Sequence, residues 1–441
     1  MTEHDRTQRY AEALARLIKI ETVSQETQTD LTKFHALHDE MRALFPTLFA
    51  KAEVEEFDGS LLLKLTGRDP QRAPFLLMSH HDVVEATGTW THGPFSGDIA
   101  DGKLWGRGTL DDKGNIWAML QAAEELLAEG YVPPADLYFM TTCNEECSGA
   151  GSDAISKALL ERGIRFDLVL DEGGMIVPEP MAGAKGQFAM IGVGEKGAAD
   201  LKFIARSAGG HASTPPKNSP LVRLGQFMAA ADKANLFTKE LSPVTAEMFR
   251  RMSPTMSGPL KFVFRHARGL RGLLRHVLPM ISPTAAALVK TTLAFTMAEG
   301  SGAANVLPLE ASVIGNMRYS HHQGREDSIR AVTELAKKYD IETVVLDGGY
   351  PSGLTDYNGD AFKLVERAVN AIFPDVVASP YVMTGATDSR HMSRVCDHCV
   401  RFAPFRISQQ QLDSMHAIDE CVDLSALAPA VDFFKYILRE Y

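Results

Sequence analysis

Five short stretches of this 441-residue chain carry side chains that can do acid–base or metal chemistry. SHHD (79–82) ends an apolar run, APFLLMS, with two histidines and an aspartate. In a strand, residues i and i+2 share a face, so His80 and Asp82 point one way and His81 the other. An imidazole can bind an ion through one nitrogen while a carboxylate holds its other N–H; the plain alternative is a buried histidine satisfied by its neighbour. GRGTLDDKGN (106–115) sets Asp111 and Asp112 at the start of a helix, where aspartate is commonly a cap. TTCNEECSGAG (141–151) ends a strand with Glu145 and Glu146 in tandem, LVLDEGG (168–174) ends the next with Asp171 and Glu172, and DSMHAIDE (413–420) offers His416. Each has a bland reading as a cap or a solvated surface. Together they share one explanation, a divalent ion held by carboxylates and imidazoles.

Strands that end together must position these groups. The periodicity gives helices over 7–20 (Tyr10, Leu14, Leu17 and Ile18 on one stripe), 31–45, 114–130 and 152–162. Short apolar strands fall at 61–67, 73–79, 136–142 and 166–172. Strand–helix alternation with little polar alternation indicates an α/β fold with a largely parallel sheet covered by helices, and ligands gather at the carboxyl edge of such a sheet. Beyond residue 191 the style changes. Strands at 198–207, 311–320 and 341–347, with helices at 221–234 and 326–340, suggest a smaller α+β domain inserted at 191–348. The first domain is then discontinuous, 1–190 plus 349–441. Residues 236–298 read largely as a helical extension of the insert. Within it, 261–276 has five Lys or Arg and no acid, and is taken as an amphipathic surface helix rather than a membrane contact.

A net charge of −11 argues against a general nucleic-acid binder. The polar N-terminus lacks a signal-peptide core and no apolar stretch spans a bilayer, so a soluble cytoplasmic protein is expected. Five cysteines fit reduced thiols, and the lone CxxC of Cys396 and Cys399 reads as ordinary thiols rather than a zinc site. The GxGxxG spacing at Gly192, Gly194 and Gly197 precedes a strand, not the helix a dinucleotide fingerprint needs. GxSxG, P-loop and HExxH motifs are absent from the sequence.

In order, SHHD, GRGTLDDKG, NEE, LDEG and MHAIDE resemble the dinuclear zinc aminoacylase and carboxypeptidase family, which includes glutamate carboxypeptidase, succinyl-diaminopimelate desuccinylase and carnosinase-like dipeptidases. WTHGPFSGDIADGKLWGRGTLDDKG looks nearest to the branch of Gly-X carboxypeptidase (carboxypeptidase S) and the N-fatty-acyl-amino-acid hydrolases. The resemblance covers nearly the whole chain. It implies a mixed, mostly parallel sheet flanked by helices, with an inserted lid and dimerisation domain. It also implies two divalent ions, zinc with cobalt or manganese as alternatives. His80, Asp111 and Glu172 would hold one ion; Asp111, Glu146 and His416 would hold the other. The choice of Glu172 over Asp171 rests on the LDEG match alone. Glu145 would be the general base acting with a metal-bridged hydroxide, Asp82 would orient His80, and the Asp111–Asp112 peptide would be cis. In GGHASTPP, His211 would reach a partner subunit's site in a homodimer; Asn305, Arg318, Gly385 and Arg390 fall where the family binds substrate, Arg390 being favoured for a carboxylate. The implied reaction is amide hydrolysis in a dipeptide or N-acyl amino acid, with long-chain N-acyl amino acids as the alternative. A metal-free binding or regulatory relative is the reading from another class, disfavoured because the ligand positions and the base are chemically competent.

Overall fold

The computed structural model describes residues 2–349 and 352–441. The first helix, Glu3–Ile18, starts where Thr2 and Asp5 cap each other reciprocally, side chain to backbone amide, satisfying two donors that the helix cannot pair itself. Its stripe of Tyr10, Leu14, Leu17 and Ile18 is fully buried. Lys113 opens the helix Lys113–Ala128 and is also buried. Its ammonium donates to the carbonyls of Leu17 (3.2 Å) and Ile20 (2.5 Å), tying that helix start to the end of the first helix.

Among the described residues nine strands form one mixed sheet. At its centre Phe75–His80 pairs parallel with both Leu137–Thr142 and Leu168–Asp171, and Cys399–Arg401 runs parallel to the latter. Antiparallel pairing begins outward, where Ser60–Leu65 joins Leu137–Thr142 on one side and Cys399–Arg401 meets Gln187–Glu195 on the other. The central strands are buried on both faces, which explains their unbroken apolar sequence. Parallel register, with His80 opposite Thr142, brings the ends of these strands out on one side, so the loops bearing His80, Glu145, Glu146 and Glu172 emerge together.

A second, antiparallel sheet is drawn entirely from residues 197–348: Thr292–Glu299, Glu310–Tyr319, Gly197–Arg206 and Glu342–Gly348, in that order. Helices Pro220–Lys233 and Gly324–Lys337 cover it, with their own core around Phe203, Phe227, Val313 and Val332. Gln187–Glu195 passes through Lys196 straight into Gly197–Arg206, so the GxGxxG spacing joins two strands.

The segment 236–298 differs from its sequence reading in one respect. Helices occupy Pro243–Met252, Gly258–Arg265, Arg271–Ile281 and Pro283–Ala287, but Thr292–Glu299 is the edge strand of the second sheet. Threonine and phenylalanine in TLAFTMAE suit a pleated surface, and Leu293 and Phe295 pack on that sheet's core. The helices themselves pack on the large sheet: Phe249, Phe264, Leu274 and Leu278 share its core with Val376 and Ala378, and Arg251 donates to the Ala378 carbonyl at 3.0 Å.

Candidate metal centre

His80 sits, buried, at the carboxyl end of Phe75–His80. Its Nε2 lies 3.0 Å from Asp111 Oδ1, while His416 Nε2 lies 3.0 Å from Asp111 Oδ2 and 3.2 Å from Glu146 Oε2. One carboxylate is therefore divided between two imidazoles, an oxygen to each. His80, Asp111 and Glu146 present donor atoms all within 4.8 Å of one another. His416 follows the short helix Gln409–Ser414 and takes the left-handed backbone conformation, φ 60°. The Asp111–Asp112 peptide is cis. His81 points away, its Nδ1 2.9 Å from Thr141 Oγ1, among Phe34 and His38. The two rings thus face opposite sides of the strand end, as strand alternation requires.

Asp82 is a buried hub. Its Oδ1 accepts from the Glu145 amide (3.2 Å) and lies 3.3 Å from His80 Nδ1. Its Oδ2 accepts from the Glu146 amide (3.1 Å) and the Ser24 hydroxyl (2.7 Å). One side chain thereby fixes both the imidazole and the backbone of the tandem glutamates. A second hub was not singled out from the sequence. Glu420 Oε1 accepts from the amides of Gly108 (3.1 Å), Leu110 (2.9 Å) and Asp111 (3.2 Å), and its Oε2 accepts from Arg107 at 2.7 Å. Arg107 also donates to the Ala417 carbonyl at 2.7 Å. The pair clamps the Asp111 turn to the His416 turn. Gly108 has φ 92°, a conformation that glycine alone adopts without strain, and this aims its amide at Glu420. Only the proximity of Glu420 to His416 in DSMHAIDE could have signalled this from sequence.

The two candidates of LDEG separate clearly. Asp171 accepts from the amides of Glu172 and Ser389, both at 2.9 Å, and is committed to holding those loops. The carboxyls of Glu172 and Glu145 make no hydrogen bond among the described residues. Burial, reinforced by surrounding carboxylates, pushes both well above the usual range. Glu146 Oε1 is buried without a hydrogen-bond partner among the described residues. Conversely, hydrogen bonds to Asp111 and Glu146 push His416 up to about 10. Two imidazoles and three carboxylates, together with an unpaired buried oxygen, have the composition of a divalent-cation site.

The substrate candidates divide. Arg390 is half-buried and lines a cleft of about 540 Å³ with Ser148, Lys196, Asp200 and Arg394. Its Nε donates to His391 Nε2 at 3.2 Å, and no carboxylate pairs with it among the described residues. A Cβ on Gly385 would touch nothing within 4 Å, so its surroundings within the chain do not demand glycine. Arg318 donates to Asn316 at 3.2 Å, and its charge adds to burial in lowering Lys196 to about 8, which places it near the same cleft. His211 and Asn305 are exposed and adjoin each other, the Ala212 amide donating to the Asn305 carbonyl at 3.0 Å. No hydrogen bond joins either to the ligand cluster among the described residues.

Residues 76–440 match the model of peptidase family M20/M25/M40. The chain belongs to this family. It is accordingly a metallopeptidase-class hydrolase. Among curated M20 relatives it is 30% identical to probable carboxypeptidase S-like 2 of Dictyostelium discoideum, over 97% of this chain and 84% of that protein. It is 31% identical to N-fatty-acyl-amino acid synthase/hydrolase PM20D1 of Bos taurus, over 97% and 86%. Its fold is similar to that of the M20 family metallo-carboxypeptidase Sso-CP2 from Sulfolobus solfataricus, with a TM-score of 0.72 and 16% identity, covering 100% of this chain and 99% of that one. Human carnosine dipeptidase 1 gives 0.66 and 17%, covering 98% and 96%.

Proposed function

We propose that this M20 enzyme hydrolyses the amide bond of a small substrate bearing a free carboxylate, a dipeptide or an N-acyl amino acid, with two divalent ions. The observation that carries the reading is the division of the Asp111 carboxylate between His80 and His416 at 3.0 Å each. His80, Asp111 and Glu172 would hold one ion, and Asp111, Glu146 and His416 the other. Zinc suits these nitrogen and oxygen donors, with cobalt or manganese as alternatives. When bound, such a pair lowers the pKa of a water and polarises the scissile carbonyl.

Glu145 takes the water's proton and returns it to the leaving amine. Glu146 cannot share that task, because its Oε2 is already turned toward His416. Asp82 keeps His80 oriented. Arg390, without an ion-pair partner among the described residues, suits bidentate capture of the substrate carboxylate, with Arg318 as the alternative. Gly385 leaves room for substrate to approach the backbone. Residues 191–348 serve as the lid and dimerisation domain, between catalytic parts 1–190 and 349–441. In a homodimer His211 reaches the other subunit's site to stabilise the oxyanion, with Asn305 beside it. Five unpaired thiols favour a cytoplasmic setting. Likeness to the N-fatty-acyl enzymes favours a long acyl chain as the second reading.

The test compares hydrolysis of a Gly-Leu-type dipeptide and a long-chain N-acyl amino acid by the native enzyme and by Glu145→Gln. The expected result is turnover of at least one substrate, reduced by about 10²–10⁴-fold in the variant with metal content unchanged. Turnover of neither substrate, or a variant within about tenfold of the native rate, would refute the assignment.

A further inference from the structure

From Met248 to Ala298 the chain contains eight Lys or Arg and no Asp or Glu, although the whole protein has a net charge of −11. The helices Gly258–Arg265 and Arg271–Ile281 lie in this stretch. They are anchored inward by Phe264, Leu274 and Leu278. Val263 is half-buried, while Leu260, Phe262, Leu273, Val277, Met280 and Ile281 stay in water, with Met280 85% and Ile281 67% exposed. On the second helix, residues 273, 277, 280 and 281 recur at i, i+4, i+7 and i+8 and form one stripe. Lys261, Arg265, Arg271 and Arg275 are exposed and make no ion pair among the described residues. A cleft of about 470 Å³ beside them is lined by Ser253, Lys261, Arg265 and His266, and by Arg250, which pairs with Glu247 at 2.6 Å.

We propose that this face docks the enzyme on an anionic phospholipid surface, with the apolar side chains entering the acyl boundary and the basic cleft receiving lipid phosphate. Large exposed apolar groups flanked by unpaired basic ones are what an interfacial helix requires. Attraction to anionic headgroups adds to apolar burial, each basic residue near the surface being worth about fivefold in partitioning. A second copy of the chain fits this face poorly. A two-fold interface would set the basic stretch against itself, with no acid in the segment to pair it. With no helix long and apolar enough to cross a membrane among the described residues, the docking is peripheral. The inference stands apart from the metal-centre reading, since no ligand residue takes part.

The test is cosedimentation of the full chain with vesicles of phosphatidylcholine alone or with about 30% phosphatidylserine. Three proteins are compared: native, K261E/R265E/R271E/R275E and F262S/M280S/I281S. Hydrolysis of a water-soluble substrate by each serves as the control for folding. The native protein should bind only the anionic vesicles, release them with salt, and lose at least tenfold in partitioning in each variant while soluble-substrate turnover is kept. Equal binding to neutral vesicles, no vesicle binding, or retention of full binding by both variants would overturn the inference. So would binding of inorganic phosphate without vesicle binding, or a native dimer that F262S/M280S/I281S converts to monomer.

Discussion

Glu420→Gln should damage both stability and the metal centre, although Glu420 is not a ligand. The carboxylate is completely buried; it accepts three backbone amides through one oxygen and Arg107 through the other. Glutamine has nearly the same shape and can still accept the amides through its carbonyl. What disappears is the charge opposite Arg107, itself 2% exposed. A buried pair gains little over an apolar one, but removing one partner strands the other charge and costs about 3–5 kcal/mol. Retained amide contacts place Glu420→Gln near the lower end, about 3 kcal/mol. The Asp111 and His416 turns then lose their clamp, and metal affinity should fall about 10–100-fold, the usual effect of removing support behind a ligand. Urea unfolding of metal-free protein and calorimetric zinc titration measure the two effects separately. Arg107→Gln and the double variant complete the cycle, and the double variant should be more stable than the sum of the single losses implies. A loss below about 1 kcal/mol with unchanged zinc affinity, or strict additivity in the cycle, would refute the clamp.

Two further outcomes are expected. Arg390→Lys keeps the charge but loses the planar fork, so kcat/KM for a substrate with a free carboxylate should fall about 10–100-fold, with a much smaller change for the corresponding carboxamide; equal loss on both would remove Arg390 from carboxylate capture. His38 is buried, and that burial lowers it from 6.5 to about 4. The folded state thus favours the neutral ring, a contribution complete above pH 6.5 and lost as pH falls through about 4. Relative to His38→Leu, the native chain should lose about 3 kcal/mol between pH 7 and pH 4 in urea unfolding, and parallel pH profiles would contradict this.

Much of the centre was legible because it follows from strand geometry. The i, i+2 relation set His80 apart from His81, and apolar strands ending in charged clusters placed the loops at one sheet edge. The choice of Glu172 over Asp171 rested on the LDEG match alone; the packed structure adds that the Ser389 amide donates to Asp171, a contact no local pattern encodes. The hubs were hidden for a similar reason. Ser24 meets Asp82 across 58 residues and Glu420 meets Arg107 across 313, and no local pattern encodes such contacts. The strand at 292–299 was missed because a short apolar run beside helices has no period to mark it, and its edge position depends on pairing with Glu310–Tyr319. Among the described residues no hydrogen bond joins His211 to the ligand cluster, and the role proposed for it needs an assembly that no single-chain pattern specifies.

The central claim is that Asp111 is shared between two ions. A crystal structure of the zinc-loaded enzyme, with anomalous scattering recorded at the zinc edge, tests it directly. Two peaks are expected, one bounded by His80 and Glu172, the other by Glu146 and His416, with an Asp111 oxygen on each. A single peak, or two peaks with Asp111 bound to only one, would contradict it.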